Sequence, residues 1–304
     1  MAHSGPSPTV PVCLTISAVD TTGATLAQAD LKTFTALGTY GAIIATGVLA
    51  DSFTGHDHSQ SVPESLLRET LEKIDDCFTV SAVKVGMVPT PGQIRVVGRW
   101  LRAHPTIPVV IDPVLTDQVG IPQMAPEVIL AMQGELLPRA ALITPNRFEA
   151  AQLAGFEEVL IEEDMITVAK QLFNTYGCQT VVTGGGLGET SLDVFAGMDG
   201  VRRFTAPAVT MADGKVVGAG CTYAAAITAQ LARGESMRES IQAAKSYVLA
   251  LIRATAPLCT DNLAHPLCHF MAVDSLAQAD GVGISAASSS DRLQIPKTDR
   301  HQRR

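Results

Sequence analysis

The chain has no CxxC pair, and its six cysteines (Cys13, Cys77, Cys178, Cys221, Cys259 and Cys268) show no metal-ligand spacing. Read alone, they are free or buried thiols of a reducing compartment. Positive charge is also scarce: the formal net charge is -8, which excludes the basic face that a nucleic-acid or anionic-membrane partner requires. No apolar run approaches the length of a membrane span. The opening segment, MAHSGPSPTVPVCLTIS, has no cationic stretch followed by an apolar one, so a cytoplasmic protein is expected. No GxGxxG follows the first apolar strand, which weakens a dinucleotide oxidoreductase reading. Internal repeats and a domain-dividing linker are missing too.

What is present is a long, apolar chain. With 304 residues and 46% hydrophobic side chains, a sizeable core forms without disulfide or metal staples. Short apolar runs at 10–17, 42–49, 82–85, 109–111, 141–143 and 180–182 read as core strands of a mainly parallel sheet. Amphipathic stretches at 26–37, 91–103, 126–136, 148–154 and 163–176 read as helices between them, and another helix is expected to start after Pro63. Runs at 192–195 and 201–204, separated by a glycine-bounded turn, predict an antiparallel hairpin at one edge. Two long helices are expected near 222–232 and 237–253. The alternation predicts βαβ units around a mainly parallel sheet, an α/β fold. Its boundaries are a tail at 1–9, one domain at 10–279, and a disordered tail at 280–304, where Gly, Ala and Ser run into a basic end.

The segment Val216–Ala226, VVGAGCTYAAA, carries the most chemistry. Gly218 and Gly220 permit a tight backbone path into a helix rich in small residues. Free N–H groups and the helix dipole would then favour an anion, as phosphoryl transfer requires. Cys221 within this nest is expected to have its thiol pKa drawn below about 8.5. An ordinary loop-to-helix junction with a packed cysteine fits the same spacing, and the residues alone leave both readings open.

Five further segments accompany the nest in order: Leu14-Thr15-Ile16 with Asp20; Gln28-Ala29-Asp30-Leu31-Lys32-Thr33-Phe34; Lys84-Val85-Gly86-Met87; Asp112-Pro113-Val114; and Thr144-Pro145-Asn146 with Phe148-Glu149-Ala150. Together they resemble the ribokinase superfamily, in particular the branch holding hydroxymethylpyrimidine kinases and related bacterial pyridoxal/pyridoxine kinases. The resemblance runs from about residue 12 to 251. It implies a three-layer α/β/α ribokinase-like fold with a mainly parallel central sheet, which transfers the γ-phosphate of ATP, with Mg2+, to a small heteroaromatic alcohol or aldehyde. It also implies a homodimer.

Carried over by position, the resemblance makes Gly218, Ala219 and Gly220 an anion hole, with Cys221 in the place of that branch's cysteine. Asp112, Asn146 and Glu149 would help hold Mg2+. Thr183, Gly185 and Lys215 would meet the nucleotide. Ala18, Asp20, Asp30 and Asp51 would border the acceptor, although Asp30 by itself also reads as a charge on a helix surface. The nest's G-A-G-C, the T-G-G-G of Thr183-Gly184-Gly185-Gly186 and Phe148 favour a vitamin B6 vitamer as acceptor. The alternatives are a hydroxymethylpyrimidine or phosphomethylpyrimidine kinase of thiamine biosynthesis, and a pseudokinase that binds without transferring phosphate. Departures from the pattern gather on the acceptor side. Gly23-Ala24-Thr25-Leu26 replaces a G-G-A-G turn and Ala18 a glycine. Val217 stands where a histidine is common, Leu115-Thr116-Asp117 in place of a cysteine-bearing lid, and Asp51 at a ring-reading glutamine.

Overall fold

The structure, a computed structural model, describes residues 10–52, 55–117, 120–187, 190–209, 215–255 and 264–270. The tails expected at 1–9 and 280–304 lie outside these residues. The elements run β1 (Val12–Asp20), α1 (Leu26–Ala36), β2 (Tyr40–Ser52), β3 (Gly55–Ser61), α2 (Glu64–Cys77), β4 (Val80–Val85), α3 (Pro91–Ala103), β5 (Val109–Ile111) and α4 (Pro126–Glu135). They continue through β6 (Leu142–Ile143), α5 (Arg147–Ala154), α6 (Glu162–Tyr176), β7 (Gln179–Leu187), β8 (Thr190–Gly197), β9 (Gly200–Pro207), β10 (Lys215–Val217), α7 (Ala219–Ala232), α8 (Met237–Ala254) and β11 (Ala264–Pro266).

Nine strands form one sheet in the order β3-β2-β1-β4-β5-β6-β7-β8-β9. The pairs from β2 to β7 are parallel, while β3, β8 and β9 join antiparallel at the two sides. This is the expected mainly parallel α/β architecture, with the β8–β9 hairpin at one edge. The sequence reading did not anticipate β3. Its residues, GHDHSQS, are polar because the strand lies at the outer edge of the sheet, where no apolar alternation is required.

The period of two along the strands divides the core. Leu14, Ile16, Val83, Val85, Val109 and Ile111 pack with α2 to α6 on one face. Val110, Leu142 and Val181 point the other way and pack against α7 and α8, while Cys13 meets Phe34 of α1 and Ala225 of α7. Alanines at 224, 225, 226 and 229 let α7 sit close to the sheet, wedged between α1 and α8. Among the described residues no helix is long and apolar enough to cross a membrane.

The chain moves outward from β1 to β2 and then returns to pair β4 on the opposite side of β1. Such a reversal opens a crevice beyond the carboxyl ends of the strands, where ligands of open α/β sheets bind. Asp51, Met87, Asp112 and Asn146 stand at or just past those ends, with Ala18 near the end of β1 and Thr183, within β7, bridged to Asn146.

Candidate active site

Gly218 caps α7 with φ +86, and a Cβ there would collide with the carbonyl oxygen of Ala24. Only glycine fits this left-handed, tightly opposed position. The first hydrogen bond of the helix runs from Thr222 N–H to Gly218 O at 2.9 Å. The amides of Ala219, Gly220 and Cys221 therefore precede the intrahelical ladder, at the positive end of the helix dipole. Gly220 is exposed, and a Cβ on it would meet no protein atom within 4 Å.

The nest opens into a cavity of about 490 Å³. Asn146, Thr183, Gly184, Gly185, Ala219 and Gly220 line its end nearest the strand termini, and Val209, Val216, Val248, Leu249 and Ile252 supply an apolar end. A polar end joined to an apolar slot suits a phosphorylated ligand with a flat ring. Of the residues expected at the nucleotide, Thr183 and Gly185 line this cavity, while Lys215 is exposed on β10 and its neighbour Val216 lines the cavity.

Inside the cavity lies a buried ion pair that the sequence reading missed. Lys245 Nζ of α8 approaches Asp193 Oδ2 of β8 to 2.8 Å and also donates to Ser191 Oγ at 3.2 Å. Asp193 sits directly across the ladder from Thr183.

Lys84 is the second missed residue. It is fully buried, donates to Asp30 Oδ1 at 2.7 Å, and lies 3.4 Å from Asp112 Oδ2. Thr15 Oγ1 donates to the other Asp30 oxygen at 2.6 Å. Asp30 is therefore not a helix-surface charge, and both its oxygens are engaged within the protein. Burial pushes its carboxyl up to about 6, against the opposing pull of Lys84. The two carboxylates hold Lys84 protonated despite its burial. The signal was legible: a lysine in the apolar run VSAVKV is affordable only with a buried partner.

Cys221 reverses its expectation. Its thiol is pushed up rather than down, first by burial and then by the charges of Asp112 and Asp30; Lys84 and the Leu26 N–H offset this only in part. A helix N-terminus lowers a thiol pKa only where desolvation and nearby carboxylates do not outweigh it.

Asp20 is consumed by its own turn. One carboxylate oxygen accepts from Thr22 Oγ1 and Gly23 N–H, both at 2.6 Å, and the other accepts from Thr25 N–H and Oγ1. It shapes the 21–25 turn and offers no free oxygen to a ring. Asp51 lies half-buried near the end of β2, beside a register shift.

For Mg2+, the geometry separates the three expected residues. Asn146 and Glu149 form the capping box of α5: Asn146 Oδ1 accepts from Phe148 and Glu149 N–H, and Glu149 accepts from Asn146 and Leu115 N–H. Burial, then the charge of Asp112, pushes the Glu149 carboxyl up to about 8. Asp112 Oδ2, by contrast, is buried without a hydrogen bond. Among the described residues no three His, Cys, Asp or Glu side chains form a ready-made metal cluster. Asp112 Oδ2, 3.4 Å from Lys84 Nζ, is the carboxylate oxygen that would remain to meet an ion held mainly by ligand phosphates, a common arrangement for Mg2+.

The side expected to border an acceptor is apolar and tightly filled. Ala18, Leu26 and Leu49 form a buried cluster, against which Met87 and Val114 pack. Leu26 has φ +52 and Val114 φ +49, the only non-glycine residues at positive φ among those described. Each such conformation costs about 1–3 kcal/mol.

The family model for phosphomethylpyrimidine kinase matches residues 20–265. The chain is 36% identical over 249 residues to a pyridoxine kinase of Bacillus subtilis, covering 81% of this chain and 91% of that one. It is 34% identical over 260 residues to a hydroxymethylpyrimidine/phosphomethylpyrimidine kinase of Rhizobium meliloti, covering 85% and 97% respectively. The structure of the pyridoxal kinase from Staphylococcus aureus in complex with AMP-PCP and pyridoxal superposes with a TM-score of 0.77 at 30% identity, covering 86% of this chain and 94% of that one.

Proposed function

The chain belongs to the phosphomethylpyrimidine kinase family and is an ATP-dependent kinase with the ribokinase-like fold; from that premise we propose that it phosphorylates the hydroxymethyl group of a vitamin B6 vitamer. The observation that carries this reading is the Gly218–Cys221 nest, which opens at once toward the 490 Å³ cavity and toward the first turn of the acceptor side.

The nucleotide base lies in the apolar slot beside Val248 and Ile252, and its phosphates run past Thr183 and Gly185 to the nest. The acceptor hydroxyl approaches from the Ala18–Leu26 side. Its oxygen attacks the γ-phosphorus in line, the bond to the bridging oxygen breaks, the hydroxyl proton passes to an oxygen of the transferred phosphoryl group, and ADP leaves. The amides of Ala219, Gly220 and Cys221 stabilise the charge on the transferring group, positioning being most of what this chemistry asks of a protein. A magnesium ion arriving with the nucleotide would meet Asp112 and neutralise phosphate charge, with Asn146 and Glu149 shaping the adjoining backbone.

Cys221, placed between the acceptor turn and the nest, is positioned for one further step. With pyridoxal, its sulfur bonds to the aldehyde carbon and its hydrogen passes to the former carbonyl oxygen, giving a reversible hemithioacetal that orients the ring. Pyridoxine has no aldehyde and cannot form it. Support for the vitamer comes from the pyridoxine kinase relative and from the neighbour that binds pyridoxal. The relative from Rhizobium keeps hydroxymethylpyrimidine as the second reading. The reading includes a cytoplasmic homodimer, to be checked by light scattering and cell fractionation.

The deciding experiment follows ADP release with Mg·ATP against pyridoxal, pyridoxine and hydroxymethylpyrimidine. Turnover of the two B6 vitamers supports the proposal. Turnover of the pyrimidine alone transfers the protein to thiamine chemistry, and binding without ADP release from any ring makes it a pseudokinase.

A further inference from the structure

Among the described residues, the charged side chains that line the cavity are Arg147, Asp193 and Lys245. Lys245 and Asp193 neutralise one another at 2.8 Å. Arg147, half-buried at the start of α5, has no carboxylate partner among the described residues. It leaves its wall of the cavity with an uncompensated positive charge.

The guanidinium is also held ready for an anion. Its Nη1 donates to the carbonyl oxygen of Val159 at 3.0 Å, which ties it to the connection between α5 and α6. Its Cζ lies 5.3 Å from the centre of the Phe148 ring, within cation–π range. Gly120 backs onto that ring so closely that a Cβ there would clash with it. A guanidinium carries several N–H donors in a fixed fork. Val159 takes one of them, and no other acceptor among the described residues takes the rest. An arginine already ordered in this way binds phosphate at little further cost in side-chain entropy.

Its place along the cavity says which anion it meets. Asn146, the residue before it, is bridged to Thr183 at the polar end. Arg147 therefore stands beside the route from the nest, past Thr183 and Gly185, to the apolar slot. The nest amides serve the group being transferred, and the phosphates that stay behind need a cation of their own. We propose that Arg147 is a further nucleotide-binding residue, whose guanidinium receives the phosphates that remain on ADP after transfer. Phe148 acts through it, as a positioning residue. The inference rests on the kinase reading above and deepens it by assigning the side chain that holds the nucleotide's own phosphates.

Calorimetric titration of ADP, with Mg2+, and of adenosine into wild type, Arg147→Gln and Arg147→Met tests this. Adenosine keeps the base and ribose and carries no phosphate. Both variants are expected to bind ADP about tenfold more weakly, the scale of a lost charge-assisted hydrogen bond, with adenosine affinity unchanged within about twofold. Arg147→Lys keeps the charge without the fork and should fall between. Added salt should weaken ADP binding to wild type more steeply than to either neutral variant. If Arg147 merely pins the Val159 carbonyl, the variants lose thermal stability, and their affinities for the two ligands fall in step. That result, or an unchanged ADP affinity in whichever neutral variant folds, overturns the inference and leaves the kinase reading standing. A wild type that binds no ADP removes both.

Discussion

The backbone N–H of Leu26 donates to Cys221 Sγ across 195 residues of sequence, at 3.4 Å. This contact ties the first βα turn to the start of α7 and holds the half-buried thiol between them. Desolvation and the charges of two carboxylates push its pKa up, which favours the protonated thiol. Alkylation should show this. At pH 7.5 iodoacetamide is expected to modify the exposed Cys77 well before Cys221, as read by peptide mass spectrometry. Faster labelling at Cys221 would mean a thiolate, and would restore the activated cysteine that the helix N-terminus alone suggested.

Gly218 and Gly220 separate fold from chemistry within one nest. Gly218→Ala places a Cβ against the Ala24 carbonyl at a φ of +86, so it should lower both the thermal midpoint and kcat/KM. A hundredfold kinetic loss is the order expected for a disrupted anion hole. Gly220→Ala meets no protein atom, and should leave the midpoint almost unchanged while weakening turnover through the ligand alone. Equal thermal losses in the two variants would contradict this division.

Lys84→Met should destabilise the protein in a pH-dependent way. Asp30 is already raised from its usual 3.8 to about 6 by burial, even with Lys84 beside it. A raised carboxyl stabilises the fold fully below its unfolded value, and that contribution is lost as pH rises through the folded value. Without Lys84 the folded value climbs further, so the variant suffers most when Asp30 is ionised. Urea titrations should show a loss of about 3–5 kcal/mol at pH 8, the range for breaking a buried pair, shrinking toward pH 5. A loss constant with pH would show that Lys84 contributes packing rather than charge.

The parts of the fold that the sequence revealed are those governed by local periodicity. Continuous apolar runs such as Val109–Ile111 announced core strands, and the amphipathic stretch at 148–154 announced α5. β3 was hidden because an edge strand has no buried face to pattern, and the short β10–β11 pair because three residues carry no period. In the site, the glycines of the nest were legible because backbone geometry demands them. The sign of the Cys221 shift was not: it depends on Asp30 and Asp112, which lie far away in sequence and reach the thiol only through tertiary packing. Lys84 and Lys245 were passed over for the same reason. A lysine in a strand or helix declares a role only when its carboxylate partner is known, and those partners are 54 and 52 residues away.

Lys245 provides the sharpest separation of nucleotide from acceptor. Its ammonium is the partner of Asp193 inside the cavity, opposite Thr183 and beside the path of the phosphates. Without it, a buried carboxylate faces the polyphosphate, and like charges repel strongly where water is excluded. Lys245→Met should therefore raise KM for ATP at least tenfold, in keeping with truncating one partner of a buried charge pair, while KM for the acceptor stays within about twofold. Asp193→Asn removes the repelling charge and keeps the cation, so its ATP KM should rise far less, and the double variant should recover much of the loss seen in Lys245→Met. Initial-rate kinetics with ATP and the acceptor varied in turn, supported by calorimetric ADP binding, measures all three. If Asp193→Asn proves as damaging as Lys245→Met and the double variant recovers nothing, the pair acts as a structural brace between β8 and α8, and its charge has no part in receiving the nucleotide.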